Sequence, residues 1–312
     1  MKTNILYRIG LINIVGILGV CCSLNTICAA EITDELWGQP TVVYGGGLSQ
    51  DNVNEIAEKF DISRSNVQEL YTSGEMVSKY LGTNSTSTGS LISCVKVEKK
   101  SSGYGVKVNI VTPENITRIT ETQYANAAIT AGVTNVQIDV ASLNAATGES
   151  ALTGVYMALE VNGENVDTER SEVAQEELTT TNEIAQNNAD NSGFNTNDLD
   201  QALIDIKTEL AELKERQGAA ATTEQIEQII SEVLNKCNLS NILSQEDINK
   251  LINFAEKYQN TSAIDSEEVL NQLKNLSNNI SDFLSSEQAQ GLIDKIVSWF
   301  QELFRSITNL FN

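Results

Sequence analysis

Histidine is absent from this 312-residue sequence, and proline occurs only twice. Without an imidazole there is no Ser-His-Asp or Cys-His machinery, no histidine-ligated zinc, and no side chain whose ordinary pKa lies near neutrality. Positive charge is scarce as well: 20 basic side chains face 42 acidic ones, a formal charge of -22. Phosphate backbones are held by clustered Lys and Arg, so this balance excludes nucleic acid and leaves a cation or metal as the charged partner to expect. The length suits about two domains of roughly 150 residues, enough to bury a substantial core.

Residues 1–30 read as a targeting segment. Lys2 and Arg8 open it, no acidic residue follows, and an apolar run extends from Ile9 to Cys22, broken by Asn13 and three glycines. Such a run is short for a membrane span, and Cys28-Ala29-Ala30 offers the small residues that a signal peptidase needs. Cleavage is expected before Glu31, giving a secreted or cell-envelope protein without a cofactor. Lipidation at Cys21 and an uncleaved anchor are the alternatives; Val20 is bulky for the residue before a lipidated cysteine. Of five cysteines, Cys94 and Cys237 then remain. They either pair or lie buried as small apolar thiols, the commoner fate of a free cysteine.

Composition divides the rest near Val166, since both prolines and most glycines precede it. The fold expected is α+β: a mixed β-sheet with packed helices over 31–165, then an all-α region over 166–312. Thr41-Val42-Val43-Tyr44 reads as a strand ending at Gly45-Gly46-Gly47, with Ser49 capping a helix over Asp51 to Phe60. Val67 to Tyr71 reads as a second strand, followed by a short helix from Ser73 to Leu81. Alternation over 91–98 and 106–110, around Ser101-Ser102-Gly103, predicts a β-hairpin. A helix over Thr120 to Ala131 stops at Gly132, a strand covers Val136 to Val140, and Ser150 is expected to cap another helix. At least five helices follow. Leu199, Leu203, Ile206, Leu210 and Leu213 form a seam at heptad spacing, and Ile226 to Cys237 and Val269 to Phe283 repeat it. Thr222 with Gln225 and Ser285 with Gln288 fit the capping-box pattern. Gln186 to Asn197 reads as an exposed loop.

Two segments carry a resemblance. Ile119-Thr120-Glu121-Thr122-Gln123-Tyr124-Ala125-Asn126-Ala127-Ala128-Ile129-Thr130-Ala131-Gly132-Val133, and Ser150-Ala151-Leu152-Thr153-Gly154-Val155, resemble the YpuA-like family, domain of unknown function 1002. The resemblance implies a secreted or envelope-associated protein of Gram-positive Firmicutes. It carries no catalytic residue across.

Candidate chemistry is thin. Gly45-Gly46-Gly47 stands where phosphate loops occur, but a dinucleotide fingerprint would need glycine at Gln50 and a P-loop would need Gly-Lys-Ser/Thr, so a tight turn is the expectation. Asn188, Asp190, Ser192 and Gly193 imitate the start of a calcium loop, yet Leu199 occupies the position of the bidentate carboxylate. Glu176 with Glu177 and Glu267 with Glu268 read as a solvated acidic face, because neighbours on a helix do not face each other. Ser244 and Lys250 fail the spacing of a Ser-Lys dyad. Catalytic, cofactor and metal residues are therefore assigned to none.

The closing stripe of Leu292, Ile296, Trp299, Leu303, Ile307 and Leu310, widened by Ile293, Phe300, Phe304 and Phe311, reads as an amphipathic helix. Trp299, Phe300, Leu303, Phe304, Ile307 and Phe311 are the expected partner-binding residues. Lys295 and Arg305 only balance Asp294 and Glu302, so docking to a macromolecule or a second copy ranks above peripheral membrane contact. The expected role is a non-catalytic envelope or extracellular binding protein. A carboxylate-dependent hydrolase and a small-ligand sensor are the alternatives.

Overall fold

The computed structural model describes residues 36–81, 86–116 and 118–285. Five strands, β1 (Thr41–Tyr44), β2 (Gln68–Tyr71), β3 (Cys94–Lys99), β4 (Val106–Ile110) and β5 (Val136–Ala141), form one mixed sheet in the order β2-β1-β3-β5-β4. β1 runs parallel to β2 and antiparallel to β3, β3 antiparallel to β5, and β5 parallel to β4. The expected hairpin of β3 and β4 does not form, because β5 lies between them. Alternation along a strand reports which side chains share a face and says nothing of which strand is the neighbour. The wedge is set at the loop: the Lys100 N–H donates to the Asn135 carbonyl at 2.7 Å, and the Val136 N–H donates to the Gly105 carbonyl at 3.0 Å.

Both faces of the sheet are covered. α1 (Gln50–Lys59), capped by Ser49, packs Val53 and Ile56 onto Val42, Tyr44, Cys94 and Ala141. The opposite face presents Val43, Val95, Val97, Ile138 and Val140 to α3 (Glu121–Thr130) and α4 (Ala151–Val161), while α2 (Gly74–Leu81) packs beside α4. α4 comes in close at Gly154, where an added Cβ would stand 2.7 Å from Val95 Cγ2. Its N-cap differs from expectation. Ser150 makes no side-chain cap bond to the helix; its hydroxyl meets that of Ser93 at 2.8 Å.

α3 is buried on every side from Gln123 to Thr130, which explains its run of small residues: the sheet flanks it on one side and helices on the other. Thr120 and Gln123 form a full capping box at its start. At its end the Arg170 guanidinium donates to the Thr130 and Ile129 carbonyls, satisfying acceptors the helix leaves open. Gly132 makes that reach feasible. It sits at φ +92, and a Cβ there would lie 2.9 Å from Arg170 Cζ.

All five strands precede Val166, and the helices α5 (Thr168–Asn187), α6 (Thr196–Gln217), α7 (Thr223–Lys236), α8 (Gln245–Tyr258) and α9 (Glu267–Ser285) follow it. The predicted seam of α6 is buried at Leu199, Leu203, Ile206 and Leu210, against Ile226 and Ile230 of α7 and Leu251 and Phe254 of α8. Thr222 and Gln225 form their capping box. α9 lies along α6 and α3, and its Val269, Leu273 and Ile280 join the sheet-side core. Burying such one-sided stripes is the main force available to hold the helices, at roughly 25 cal/mol per Å² of apolar surface removed from water. The stripe from Leu292 to Leu310, and the box of Ser285 with Gln288, extend outside the described residues.

Candidate functional site

The carboxyl ends of β1, β2 and β5 share one edge of the sheet, the edge at which open α/β sheets gather ligands. The glycine trio after β1 lies there, and its donors are already committed. Gly45 N–H points to Cys94 Sγ at 3.4 Å, Gly46 N–H to Thr72 Oγ1 at 3.3 Å, and Gly47 N–H to the Leu91 carbonyl at 2.9 Å. An added Cβ would stand 2.3 Å from the Leu91 carbonyl oxygen at Gly45 and 2.0 Å from that of Thr72 at Gly46. The glycines are a close-packed clamp on the chain before β3, and no phosphate cradle remains in them.

Beside this clamp opens a cleft of about 580 Å³, bounded by Leu91, Ile92 and Ser93, by the loop from Ala145 to Ser150, and by Gln175 and Thr179 of α5. Its walls are fixed from behind. The Tyr124 hydroxyl donates to the Gly148 carbonyl at 2.7 Å, and the Ala146 N–H donates to the Asn115 carbonyl at 2.9 Å. Gly148, at φ +85, has no room for a Cβ, which would meet the Tyr124 oxygen at 2.3 Å. The lining is mixed: apolar side chains such as Val77, Leu91 and Ile92 contribute the larger part, and the polar groups are hydroxyls of Ser and Thr, one amide and the Glu149 carboxylate, with no cation among the described residues that line it. Asn182 Nδ2 donates to Glu149 Oε1 at 3.0 Å. Gln175 is 8% exposed; its Nε2 donates to Thr179 Oγ1 at 3.3 Å, and its Oε1 has no partner. A groove of about 600 Å³ beside the end of α6 is different in kind. There Lys214 and Asp265 satisfy each other at 2.8 Å.

The expected solvated face at Glu176 and Glu177 is half wrong. Glu176 is a surface group paired with Lys257 at 2.7 Å. Glu177 is buried: Oε1 meets Lys207 Nζ at 2.7 Å, and Oε2 accepts from the Thr130 hydroxyl. Lys207 is fully buried and also donates to Thr130 Oγ1 at 2.9 Å and the Asn126 carbonyl at 3.3 Å. Burial pulls the Lys207 pKa down, and the Glu177 charge opposes that pull. Consecutive on α5 and so about 100° apart around its axis, the two carboxylates enter different environments. Glu267 and Glu268 are exposed in the first turn of α9, where negative charge suits the helix dipole.

Asp200 of α6 is a second sealed carboxyl. Thr120 Oγ1 donates to it at 2.7 Å and Gln123 Nε2 at 2.9 Å, so it braces the capping box of α3. Burial pushes its pKa up to about 7, and the two hydrogen bonds work in the other direction. Neither Glu177 nor Asp200 lines the cleft.

The stretch expected as an exposed loop is partly structural. α5 continues to Asn187, and Asn188 is buried, donating to the Ile184 carbonyl at 2.8 Å and Asp247 Oδ2 at 3.1 Å. Burial would raise the Asp247 pKa, but hydrogen bonds from Asn187, Ser244 and Asn188 outweigh it and hold the carboxyl below its usual range. Ser244 caps α8, with Asp247 completing the box. Leu199, at the twelfth position of the imitated calcium loop, is core. Cys94 and Cys237 are free and buried, Cys94 under the α1 face of the sheet and Cys237 among α6, α7 and α8. Trp299, Phe300, Leu303, Phe304, Ile307 and Phe311 lie outside the described residues.

A family model described as a protein of unknown function, DUF1002, matches residues 44–276, and the chain belongs to that family. An uncharacterised protein of Bacillus subtilis (strain 168), YpuA, is 26% identical over 303 residues, covering 95% of this chain and 98% of its own. No solved structure matches the chain.

Proposed function

We propose that this DUF1002 protein is exported to the cell envelope and works there by binding rather than by turnover. The observation that carries the reading is the placement of its carboxylates. Acid/base hydrolysis without histidine needs two carboxyl groups facing one another across a cleft with separated pKa values. Here the buried acids Glu177, Asp200 and Asp247 are locked into structural hydrogen bonds, Asp139 is paired with Lys96, and the cleft holds one carboxylate, Glu149. Export is supported by the pattern of Met1 to Ala30, and docking to a macromolecule or a second copy by the stripe from Trp299 to Phe311.

The test is to express the full chain in a Gram-positive host, fractionate the culture, and read the amino terminus by mass spectrometry. The expected product begins at Glu31 and sits in the wall or medium. Deleting Trp299 to Asn312 should leave the melting temperature unchanged and release the protein from the envelope or from self-association. An uncut chain in the cytoplasm refutes export, and unfolding of the truncation makes the stripe a core element.

A further inference from the structure

The cleft beside the glycine clamp carries a more specific statement, which rests on the binding reading and names its ligand class. We propose that this cleft binds a hydroxylated primary amine, with the ammonium held by Glu149 and Gln175.

Three observations support it. First, Gln175 is 8% exposed, yet its Oε1 has no hydrogen-bond partner. A buried acceptor left unpaired costs about 1–3 kcal/mol, which a donor entering the cleft that Gln175 lines would recover. Second, Glu149 is held in place by Asn182 through one oxygen, and no basic side chain of the described residues pairs with it. With no cation in the lining and a chain charge of -22, an anionic ligand is repelled and a cationic one is drawn in. Third, Ser93 and Ser150 present a hydroxyl couple that serves neither helix nor strand, since Ser150 turns away from the helix it precedes. Their mutual bond uses one hydroxyl proton and leaves the other, with spare lone pairs, to meet a ligand hydroxyl. The volume, about 580 Å³, lies in the range of small-molecule sites. The walls are pinned by Tyr124 and Asn115, so binding requires little ordering of the chain.

Glucosamine is the probe, with N-acetylglucosamine and glucose as forms that lack the free amine. Titration of the full-length protein by calorimetry and amide chemical shifts should show saturable binding of glucosamine, with shifts at 90–93 and 145–150. The two amine-free sugars should bind at least about tenfold more weakly, a difference of about 1.4 kcal/mol. Glu149→Gln should erase the preference for the amine. Gln175→Leu should weaken binding while holding or raising the melting temperature, because it removes an unpaired acceptor; a purely structural Gln175 would lower it. Absence of saturable binding, equal binding of the acetylated sugar, or shifts confined to other surfaces overturns the ligand class and leaves the binding reading standing. Saturable binding accompanied by chemical conversion of the sugar supports the site and overturns the non-catalytic reading instead.

Discussion

Replacing Glu177 with Gln isolates the contribution of the sealed ion pair. The side chain keeps its size, but its single amide oxygen must serve where two carboxylate oxygens accepted from Thr130 and Lys207, and the fully buried ammonium of Lys207 loses its counter-charge. Stranding one member of a buried pair costs about 3–5 kcal/mol, whereas replacing both by apolar groups of similar volume is often close to neutral. Each kcal/mol lowers the melting temperature of a chain of this size by about 2–4 °C, so E177Q should fall by roughly 10 °C. The double variant Glu177→Leu with Lys207→Met should return most of that loss. Urea unfolding followed by circular dichroism on the wild type, both single variants and the double variant gives the coupling energy directly. A single-variant cost below about 1 kcal/mol would show that Lys207 reaches water or sheds its proton on its own, and the account of this helix interface would fail.

Asp200 predicts a pH dependence. Its folded pKa, about 7, lies above the unfolded value near 3.9, so the native state holds the extra proton between those limits and stability falls as pH rises through them. The full window amounts to about 4 kcal/mol as an upper bound, and Asp200→Asn should flatten the slope of unfolding free energy against pH. Gly46→Ala places a methyl 2.0 Å from the Thr72 carbonyl oxygen and should cost about 1–3 kcal/mol, while Gly89→Ala, with only Ser87 Oγ at 3.7 Å, should be tolerated at that contact. Burial pushes the Cys94 thiol up to about 12 and the Cys237 thiol up to about 11. Both should resist iodoacetamide at pH 8 in the folded protein and react on adding urea; rapid native labelling of Cys94 would contradict its place under the sheet.

Where side-chain period alone determines an element, the sequence was readable: β1, β5 and the α6 seam at Leu199, Leu203, Ile206 and Leu210 lie where expected. The capped starts expected at Ser49 and Thr222 are there as well, and Thr120, expected only as the first residue of its helix, proves to be a cap. Two helices had no such signature. α5 buries Ser171, Gln175, Glu177, Thr181 and Asn182, so its inner face looks like an outer one until the partner helices are in place. α8 begins with a box completed by Asp247 instead of Glu or Gln, and Ser244 drew notice only as a failed nucleophile. The neighbours of β3 and β4 were hidden for another reason: pairing depends on contacts across the chain, not on local pattern. The cleft was invisible because Glu149, Gln175 and Ser93 come from three separate elements and make no motif. The glycines of the two segments that carried the family resemblance, Gly132 and Gly154, prove to be points where Arg170 and β3 leave no room for a side chain.

The strand wedged between β3 and β4 also governs when the molecule can take shape. A nascent chain that has delivered everything up to Ile110 owns two ribbons with nothing to zip between them, and only the arrival of residues 136–141 closes the gap. Such a late keystone delays collapse, because distant contacts must wait for the entropy of loop closure to be overcome.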